Sequence, residues 1–475
     1  MLFNSVHFLV FAPIVIGLVF VIPHRWQRWW LLLSSFYFYA VANVAFVLPL
    51  LLCISITYGF VRWMVSTQNQ AIRRFTLICV IVGNLSILYF LKYMDLSFWA
   101  WNHTLGLRPC DPWYAHSWGM ILPMGISFFT LMAIGYAVDV YKGFEGRRSF
   151  LDTALFLSVF FHLVAGPILR GRDLIDQFKA KIGYNRENLE IGLRQICLGI
   201  IKKTYLGDNI TPLVDQVFTH PTEAHWISLF LAAMLHGFQV YCDFAGYSDI
   251  AIGSARIMGF HIPENFHRPF HATSMTDLWR RWHISFSSWV RDYIYFPMGG
   301  SRVSPPRAYF NLFMTMFVSG VWHGPTMNFV LWGTINALWL VLEKFFFSFE
   351  RIKNAYYSLP RALHILYVIA AFSISLFFFR ARVIPGFDNE MELGFYMMKR
   401  AFTLSPGVIT LPSLGISLGM FALWFSEYLM ERKEDVYAPI WERKKLCAVA
   451  AGTLLIVTVC IYSVTTNAPF QYFQF

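Results

Sequence analysis

Charged residues are scarce in this sequence. Asp, Glu, Lys and Arg make up only 14% of the 475 residues, whereas hydrophobic residues make up 57%. Soluble domains carry about 25% charged residues, so this composition excludes an ordinary soluble enzyme. The 48 Phe, 23 Tyr and 17 Trp residues suit a protein with bulky apolar surface and amphipathic rings at two membrane interfaces. The sequence therefore predicts a polytopic integral membrane protein.

Cysteine patterns that would indicate metal or disulfide chemistry are also missing. The seven cysteines include no Cys-x-x-Cys pair, and most lie in apolar runs, where a thiol behaves as a small hydrophobe. We expect no disulfide and no metal site. The apolar stretch 6–22 lacks a basic leader and a small-residue cleavage site, so we expect a first membrane helix and not a removable signal peptide.

The net charge of +11 would suit nucleic-acid binding if it were concentrated on one soluble face. Instead, the basic residues stand in short clusters between apolar runs, which favours orientation in a membrane and no nucleic-acid partner. Clusters within 25–28, 62–74, 142–148 and 432–445 mark alternate loops as cytoplasmic. Under this scheme loop 95–118 and both termini face outward. The basic residues between Arg380 and Arg400 then fall outside, in mild conflict with the scheme.

Apolar runs long enough to cross a bilayer, about 20 residues, recur along the chain. The candidate spans are 6–22, 29–43, 45–63, 75–92, 119–139, 150–168, 191–207, 226–246, 308–322, 325–347, 362–379, 408–429 and 446–464. Because 150–168, 191–207 and 308–322 are short or polar, they are candidates for re-entrant segments. We predict an all-α membrane protein with about ten to twelve crossings. No soluble domain boundary is apparent, so residues 1–475 are expected to form a single membrane-embedded domain.

Polar residues inside apolar runs usually mark function or a buried partner, because burying them in lipid is costly. They concentrate between Gln239 and Gly333. The first cluster contains two carboxylates six residues apart, with aromatic and hydroxyl side chains between them. Its candidate residues are Asp243, Tyr247, Ser248 and Asp249. They could line a substrate path or form a polar network, or simply end a helix with local hydrogen bonds.

The second cluster lies within 263–302 and starts with a capping-box-like sequence at Ser274–Asp277. We expect one amphipathic helix at the cytoplasmic surface. Its predicted aromatic side holds Trp279, Trp282, Phe286, Trp289 and Tyr293, and its basic side holds Arg280, Ser287 and Arg291, with Arg281 and Ser288 close by. The basic side could contact anionic lipid headgroups or the phosphates of an acyl donor, and physical reasoning alone favours lipid. His283 lies between the two sides and could simply be hydrogen-bonded in the interface.

The third cluster is the segment Ser319–Pro325, which contains His323. Basic residues before Tyr309 and after Phe347 predict a hairpin over 308–347 that carries His323 into or through the membrane. Gly320, Gly324 and Pro325 are expected to break the helix and let backbone approach a ligand. A neutral imidazole there could accept the proton of an attacking hydroxyl, as acyl transfer requires. A buried structural histidine is the alternative, and the residues alone favour it.

These motifs together resemble the membrane-bound O-acyltransferase family. The resemblance rests on 243–249, 263–266, 277–285, 289–293 and 322–324, with weaker signatures at 122–130 and 165–170. It is strongest over about 120–345 and points to the bacterial branch of alginate, peptidoglycan and cellulose O-acetylation and D-alanyl transfer. It implies that His323 is the catalytic histidine, His283 the second histidine, and that a funnel joins a cytoplasmic thioester to an outer acceptor. Pro325–Phe329 and His267–Phe270 depart from the expected pattern, which leaves the acceptor subfamily open.

The resulting hypothesis is acyl transfer in a bacterial inner membrane. An acetyl group would pass from acetyl-CoA, a substrate and not a permanently bound cofactor, to an extracytoplasmic transferase partner and finally to a polysaccharide or peptidoglycan. Candidates for donor binding or for lining the funnel are Arg280, Arg281, Arg291, Asp243, Tyr247, Ser248, Asp249, Trp282 and Trp322. The alternatives are D-alanyl transfer from a carrier protein, a lipid or protein acceptor, and a transporter without covalent chemistry.

The aromatic tail 465–475 resembles the end of alginate-type acetylases and the tyrosine motif of a small D-alanylation partner. The phenol of Tyr472 could carry the acyl group onward. An interfacial aromatic anchor is the alternative.

Overall fold

The computed structural model describes residues 5–94, 122–146 and 148–431, together with Met1, Phe3 and Ser97. Within these residues the regular structure is helical apart from one isolated bridge between Ala224 and Val408. The predicted all-α class is therefore confirmed for the described chain. Most of loop 95–118, the basic segment 432–445, the predicted span 446–464 and the aromatic tail lie outside the described residues.

The described residues form a series of helices. In chain order they are α1 (Val6–Val21), α2 (His24–Ala40), α3 (Val47–Ser66), α4 (Gln70–Leu88), α5 (Ile126–Lys142), α6 (Phe150–Ser158), α7 (Phe160–Leu163), α8 (Gly171–Leu174), α9 (Arg186–Ile200), α10 (Asp208–Thr219), α11 (Trp226–Ile257), α12 (Met275–Arg281), α13 (Ile284–Val290), α14 (Pro305–His323), α15 (Met327–Phe346), α16 (Glu350–Tyr357), α17 (Arg361–Arg380), α18 (Glu390–Phe402) and α19 (Leu414–Glu431). Tighter 3₁₀ turns occupy Val44–Phe46, Ile175–Lys179 and Pro269–His271, and wider π turns occupy Tyr89–Tyr93, Ile201–Gly207 and Arg291–Tyr295.

The described chain forms two compact units. The first contains Met1–Leu198 and Tyr247–Glu264, and the second contains Gly199–Gly246 and the chain from Asn265 onward. The apolar core of the second unit is built largely from α11, α15 and α17. Both histidines singled out in the sequence, His283 and His323, lie in this second unit. The expectation of a single domain over 1–475 stays a prediction.

Five helical segments among the described residues are long and apolar enough to cross a membrane. They are Val44–Ser66, Gln70–Tyr93, Trp226–Ile257, Met327–Phe346 and Arg361–Arg380, while Val6–Val21 and Leu414–Leu429 are apolar but shorter. A multi-pass membrane protein is thus confirmed, whereas the larger number of crossings expected from the sequence is not reached by these segments. The run 150–168 is interrupted because Val159 is extended and the Phe160 N–H donates to Ser35 Oγ, 3.0 Å away.

The single amphipathic helix expected in the second polar cluster is wrong, because the chain divides it into α12 and α13. Trp282 is extended, and His283 has a left-handed backbone with a φ of 45°. Asn265 explains the break: its backbone carbonyl accepts the Ile284 N–H at 2.8 Å, and its side-chain oxygen accepts the Ser285 N–H at 3.3 Å. The start of α12 does follow the prediction, since Ser274 Oγ accepts the Asp277 N–H.

The predicted hairpin over 308–347 is confirmed as the antiparallel helices α14 and α15, but the expected role of Gly320 is wrong. Gly320 does not break the helix, which continues to His323. Instead it allows close packing within the hairpin: a Cβ at Gly320 would lie 2.5 Å from the Phe329 carbonyl oxygen and 2.7 Å from the Gly333 Cα. The extended Gly324 ends α14, as expected.

Replacing Gly320 by Ala should force α14 and α15 apart and lower the free energy of unfolding by about 2 kcal/mol, in the range of overpacked cores. We expect a lower melting temperature in detergent. Unfolding can be measured by thiol labelling of Cys242, which is buried in the same unit, with mass spectrometry to detect the label. Gly59→Ala is the matched control, because a Cβ at Gly59 meets nothing within 4 Å. Equal melting of the two variants would contradict this account of the hairpin.

Candidate active site

His323 is the last residue of α14 and is buried, with 6% of its surface exposed. Aromatic rings surround it. Its ring centroid lies 4.9 Å from that of Trp332 on α15, 5.0 Å from Trp322, 5.2 Å from Phe379 on α17 and 6.0 Å from Phe286 on α13. These helices hold the imidazole in a site that excludes bulk water, where electrostatic interactions with a reacting group are strong.

His283 lies in the break between α12 and α13, so Asn265 positions it. The His283 Nδ1 lies 3.1 Å from Asn265 Oδ1, which also accepts a hydrogen bond from Ser285 Oγ at 2.8 Å. This contact places the proton on Nδ1 of the neutral ring. Burial lowers the pKa of the His283 imidazole to about 3, so this ring is uncharged at neutral pH.

The structure brings the two histidines into one aromatic cluster. The His283 and Phe286 ring centroids are 5.1 Å apart, the Phe286 and Trp322 rings stack at 4.2 Å, and Trp322 is also 6.2 Å from His283. Phe286 and Trp322 therefore lie between His283 and His323. The sequence resemblance named both histidines, and the fold places them close together.

A cavity of about 730 Å³ opens within the second unit. It is lined by residues of α12, α13, α14 and α15, including Ser319, which precedes His323 by one helical turn, and Phe286 beside His323. At its opposite end it is lined by Leu312, two turns into α14, and by Phe347 after α15. The cavity therefore runs along the hairpin from its open end toward His323, with a volume suited to a substrate-sized ligand.

The charged lining of this cavity is mainly basic. Its ionisable side chains are Arg280, Arg291, Lys344, Lys353 and Glu343. The carboxylate of Glu343 accepts the N–H groups of Met275 and Thr276, at 2.7 and 2.9 Å, so the start of α12 offsets part of its negative charge. The cavity therefore favours an anionic ligand.

Only two of the three predicted donor-binding arginines line the cavity. Arg280 and Arg291 line the cavity, but Arg281 does not and pairs instead with Asp277 at 2.8 Å. Lys344 and Lys353 were not singled out in the sequence, although the basic residues at the end of the hairpin and just after it were the signal that could have found them.

The first polar cluster is divided between the two units. In the second unit, Asp243 forms an ion pair with Lys203 at 2.6 Å. In the first unit, the Tyr247 ring is 5.5 Å from Phe3, and Asp249 accepts a hydrogen bond from Gln195 at 3.4 Å. Ser248 is buried there as well. Asp243 therefore takes part in a polar network, one of the three interpretations that the sequence left open.

Sequence reasoning missed a buried polar chain near the site. His236 Nδ1 lies 2.9 Å from Gln239 Oε1, and Gln239 Nε2 donates to Thr211 Oγ1 at 2.7 Å. The His236 ring is 6.1 Å from Phe379, whose other neighbours include His323. A histidine within an apolar run was the available signal. Trp282, another predicted site residue, packs against Phe372 at 5.0 Å in the core of the same unit.

The sequence pattern of the membrane-bound O-acyltransferase family matches residues 51–380, a stretch that includes both histidines and all of the cavity lining described above. This chain belongs to that family. The resemblance inferred from the motifs is thereby confirmed. Tyr472 lies beyond the matched region and outside the described residues, so its role stays a prediction.

Several bacterial relatives are similar to this chain over more than half of its length. A probable alginate O-acetylase of Pseudomonas aeruginosa is 36% identical over an alignment of 354 residues that covers 72% of this chain and 66% of the relative. The peptidoglycan O-acetyltransferase of Helicobacter pylori is 33% identical over an alignment of 383 residues that covers 74% of this chain and 71% of that protein. The teichoic acid D-alanyltransferase of Bacillus subtilis is 31% identical over an alignment of 276 residues that covers 54% of this chain and 67% of that protein. The match thus leaves about a third of the Pseudomonas protein uncovered.

Proposed function

We propose that this family member transfers an acetyl group from a cytoplasmic thioester, acetyl-CoA, through the membrane toward an extracytoplasmic polysaccharide or peptidoglycan. The observation that carries the proposal is the basic cavity that ends one helical turn before His323. The names of the O-acetylating relatives support the choice of an acetyl group and a polysaccharide acceptor.

The donor enters the cavity from the open end of the α14–α15 hairpin. Arg280, Arg291 and Lys344 meet its phosphates, and the flexible acyl-bearing arm extends past Ser319 toward His323. His323 accepts the proton of the incoming hydroxyl, which makes its oxygen nucleophilic toward the thioester carbonyl. Because His283 is neutral, it orients the donor or His323 through hydrogen bonding and packing, without supplying positive charge.

The proposal also gives acyl transfer a direction, from the cytoplasmic to the outer side of the membrane. Ten to twelve crossings, about the number expected from the apolar runs, surround a central funnel, and both termini face outward. The acceptor side receives the acyl group and passes it to a partner transferase, with Tyr472 as the relay. The positive-inside pattern of the basic loops supports this orientation, and it places the basic mouth of the cavity at the cytoplasmic face.

The alternative is D-alanyl transfer from a carrier protein, which the Bacillus relative's name favours. A carrier would hold the thioester on its own prosthetic arm and dock at the cavity mouth, so only that arm would enter. The same His323 chemistry would follow. The two functions differ in the anionic group that binds to the basic lining, which is the nucleotide phosphates in one case and an acidic protein surface in the other.

Purified full-length protein should consume acetyl-CoA labelled in its acetyl group and become labelled at Tyr472, as peptide mass spectrometry would detect. Tyr472→Phe should remove this label and stop acetylation of an extracytoplasmic polymer, because phenylalanine has no hydroxyl to acylate. D-alanyl carrier protein is the comparison donor.

Turnover of the carrier without turnover of acetyl-CoA would replace the proposed donor with the alternative. Polymer acetylation that persists in Tyr472→Phe would refute the relay while leaving the donor assignment in place.

A further inference from the structure

A buried indole ring next to His323 carries an N–H that has no hydrogen-bond partner among the described residues. It belongs to Trp332, which is 2% exposed and lies on α15. The Trp332 and His323 ring centroids are 4.9 Å apart and the rings are nearly perpendicular, at 88°. An indole nitrogen can only donate a hydrogen bond, so this position requires an acceptor that the described side chains do not supply.

Leaving a buried donor without an acceptor costs free energy, about 1 to 3 kcal/mol. Such groups are rare in folded proteins, and each calls for an explanation such as a catalytic role. Simple packing does not require the nitrogen, because a phenylalanine ring would fill much of the same space without a donor to satisfy. The cost is explained if the acceptor is an atom of the substrate.

Trp332 also connects His323 with the cavity. Its ring lies 5.7 Å from that of Trp279, which lines the cavity and whose own buried indole N–H likewise has no partner among the described residues. An acyl group that reaches His323 from the cavity would therefore pass these two indoles. A donor at this position meets the carbonyl oxygen of the thioester at the reacting end.

We propose that the Trp332 Nε1–H is the oxyanion donor of acyl transfer. This inference rests on the proposed function. The acceptor hydroxyl oxygen forms a bond to the thioester carbonyl carbon while its proton passes to the neutral imidazole of His323. The carbonyl electrons move to oxygen, and Trp332 donates a hydrogen bond to the resulting oxyanion. The oxyanion then collapses, the carbon–sulfur bond breaks, and the leaving thiolate takes the proton from the imidazolium.

Trp332→Phe removes the N–H and keeps an aromatic ring against Phe379, which is 5.1 Å away. Loss of one oxyanion donor typically lowers kcat by 10² to 10³, so we expect kcat with acetyl-CoA to fall about 10²-fold and KM for acetyl-CoA to change little. Trp339→Phe is the matched control. It makes the same replacement two turns along α15, where Trp339 packs against Tyr367 at 6.1 Å, and should retain wild-type kcat.

A spectroscopic readout separates hydrogen bonding from general packing. In a His323→Ala background the donor stays unreacted, so the infrared carbonyl stretch of bound, ¹³C-labelled acetyl-CoA can be recorded. The stretch should lie below that of free acetyl-CoA in His323→Ala and return toward the free value in His323→Ala/Trp332→Phe. A merely structural role for Trp332 would not move this band.

Wild-type kcat in Trp332→Phe, or a carbonyl band that is the same with and without the indole, would overturn the role of Trp332 while leaving the proposed function intact. If the wild-type protein itself consumed no acetyl-CoA, the proposed function would fail and this inference with it. A 10²-fold loss of kcat together with the band shift would support the assignment.

Discussion

Replacing His323 by Ala should lower acyl transfer about 10³-fold while the protein remains inserted and folded. Proton transfer by a positioned base typically contributes 10² to 10⁴, and no other histidine shares its position at the end of α14. Because the basic lining of the cavity lies away from this residue, acetyl-CoA should still bind with near wild-type affinity. Transfer rates measured with labelled acetyl-CoA, alongside equilibrium binding of the same donor, would check both parts.

Two additions make this test specific for base catalysis. Free imidazole can enter the space vacated in His323→Ala, so it should restore part of the activity with a rate that increases with imidazole concentration. His364→Ala is the control for a general folding defect. His364 is buried, donates a hydrogen bond from Nε2 to the Tyr356 carbonyl at 2.8 Å and stacks on the Tyr356 ring, so its loss should lower stability but not the activity of folded protein. Full activity of His323→Ala would refute the assignment of His323 as the catalytic base.

The hairpin and its histidine could be predicted from sequence because the signals there are local. Two apolar runs flanked by basic residues indicate two helices, and Gly324 followed by Pro325 indicates where the first must end. The motif around Trp322 and His323 then gives the chemistry by resemblance. The two helices and the end of the first can be inferred from neighbours along the chain alone, and the structure agrees with both inferences.

Contacts between distant segments explain what the sequence did not reveal. The helical spacing of Trp279, Trp282 and Phe286 predicted a continuous helix, but Asn265 takes over the hydrogen bonds at residues 284–285 and divides it. Likewise, Gly320 looks like a helix breaker until its partner Gly333 on the facing helix is known. Periodicity cannot anticipate a hydrogen-bond partner supplied from another part of the chain.

A buried charge cluster in the second unit also depends on contacts between distant segments that the sequence did not reveal. Sequence reasoning named Asp243 but not its partners, Lys203 and Asp208, because they lie on another segment. Lys203 Nζ is 2.6 Å from a carboxylate oxygen of each aspartate, and all three side chains are at most 2% exposed. The wide π turn Ile201–Gly207 carries the lysine. Gly246 permits the close approach of this turn, since a Cβ at Gly246 would lie 2.9 Å from the backbone nitrogen of Lys203.

Lys203→Met should lower the free energy of unfolding by about 3 to 5 kcal/mol, because it leaves two buried carboxylates without their shared cation. Burial already raises the pKa of Asp208 to about 7 in spite of Lys203, and the variant loses the opposing effect of the lysine charge. A carboxyl group with a raised pKa in the folded state binds protons more tightly there than in the unfolded state, so stability falls as pH rises from about 4 through neutrality. Melting temperatures in detergent at pH 5.5 and pH 8 should therefore differ more in Lys203→Met than in wild type.

Lys203→Met/Asp208→Asn should recover part of the loss by removing one uncompensated charge. A single variant as stable as wild type at pH 8 would mean that the lysine does not hold the cluster together.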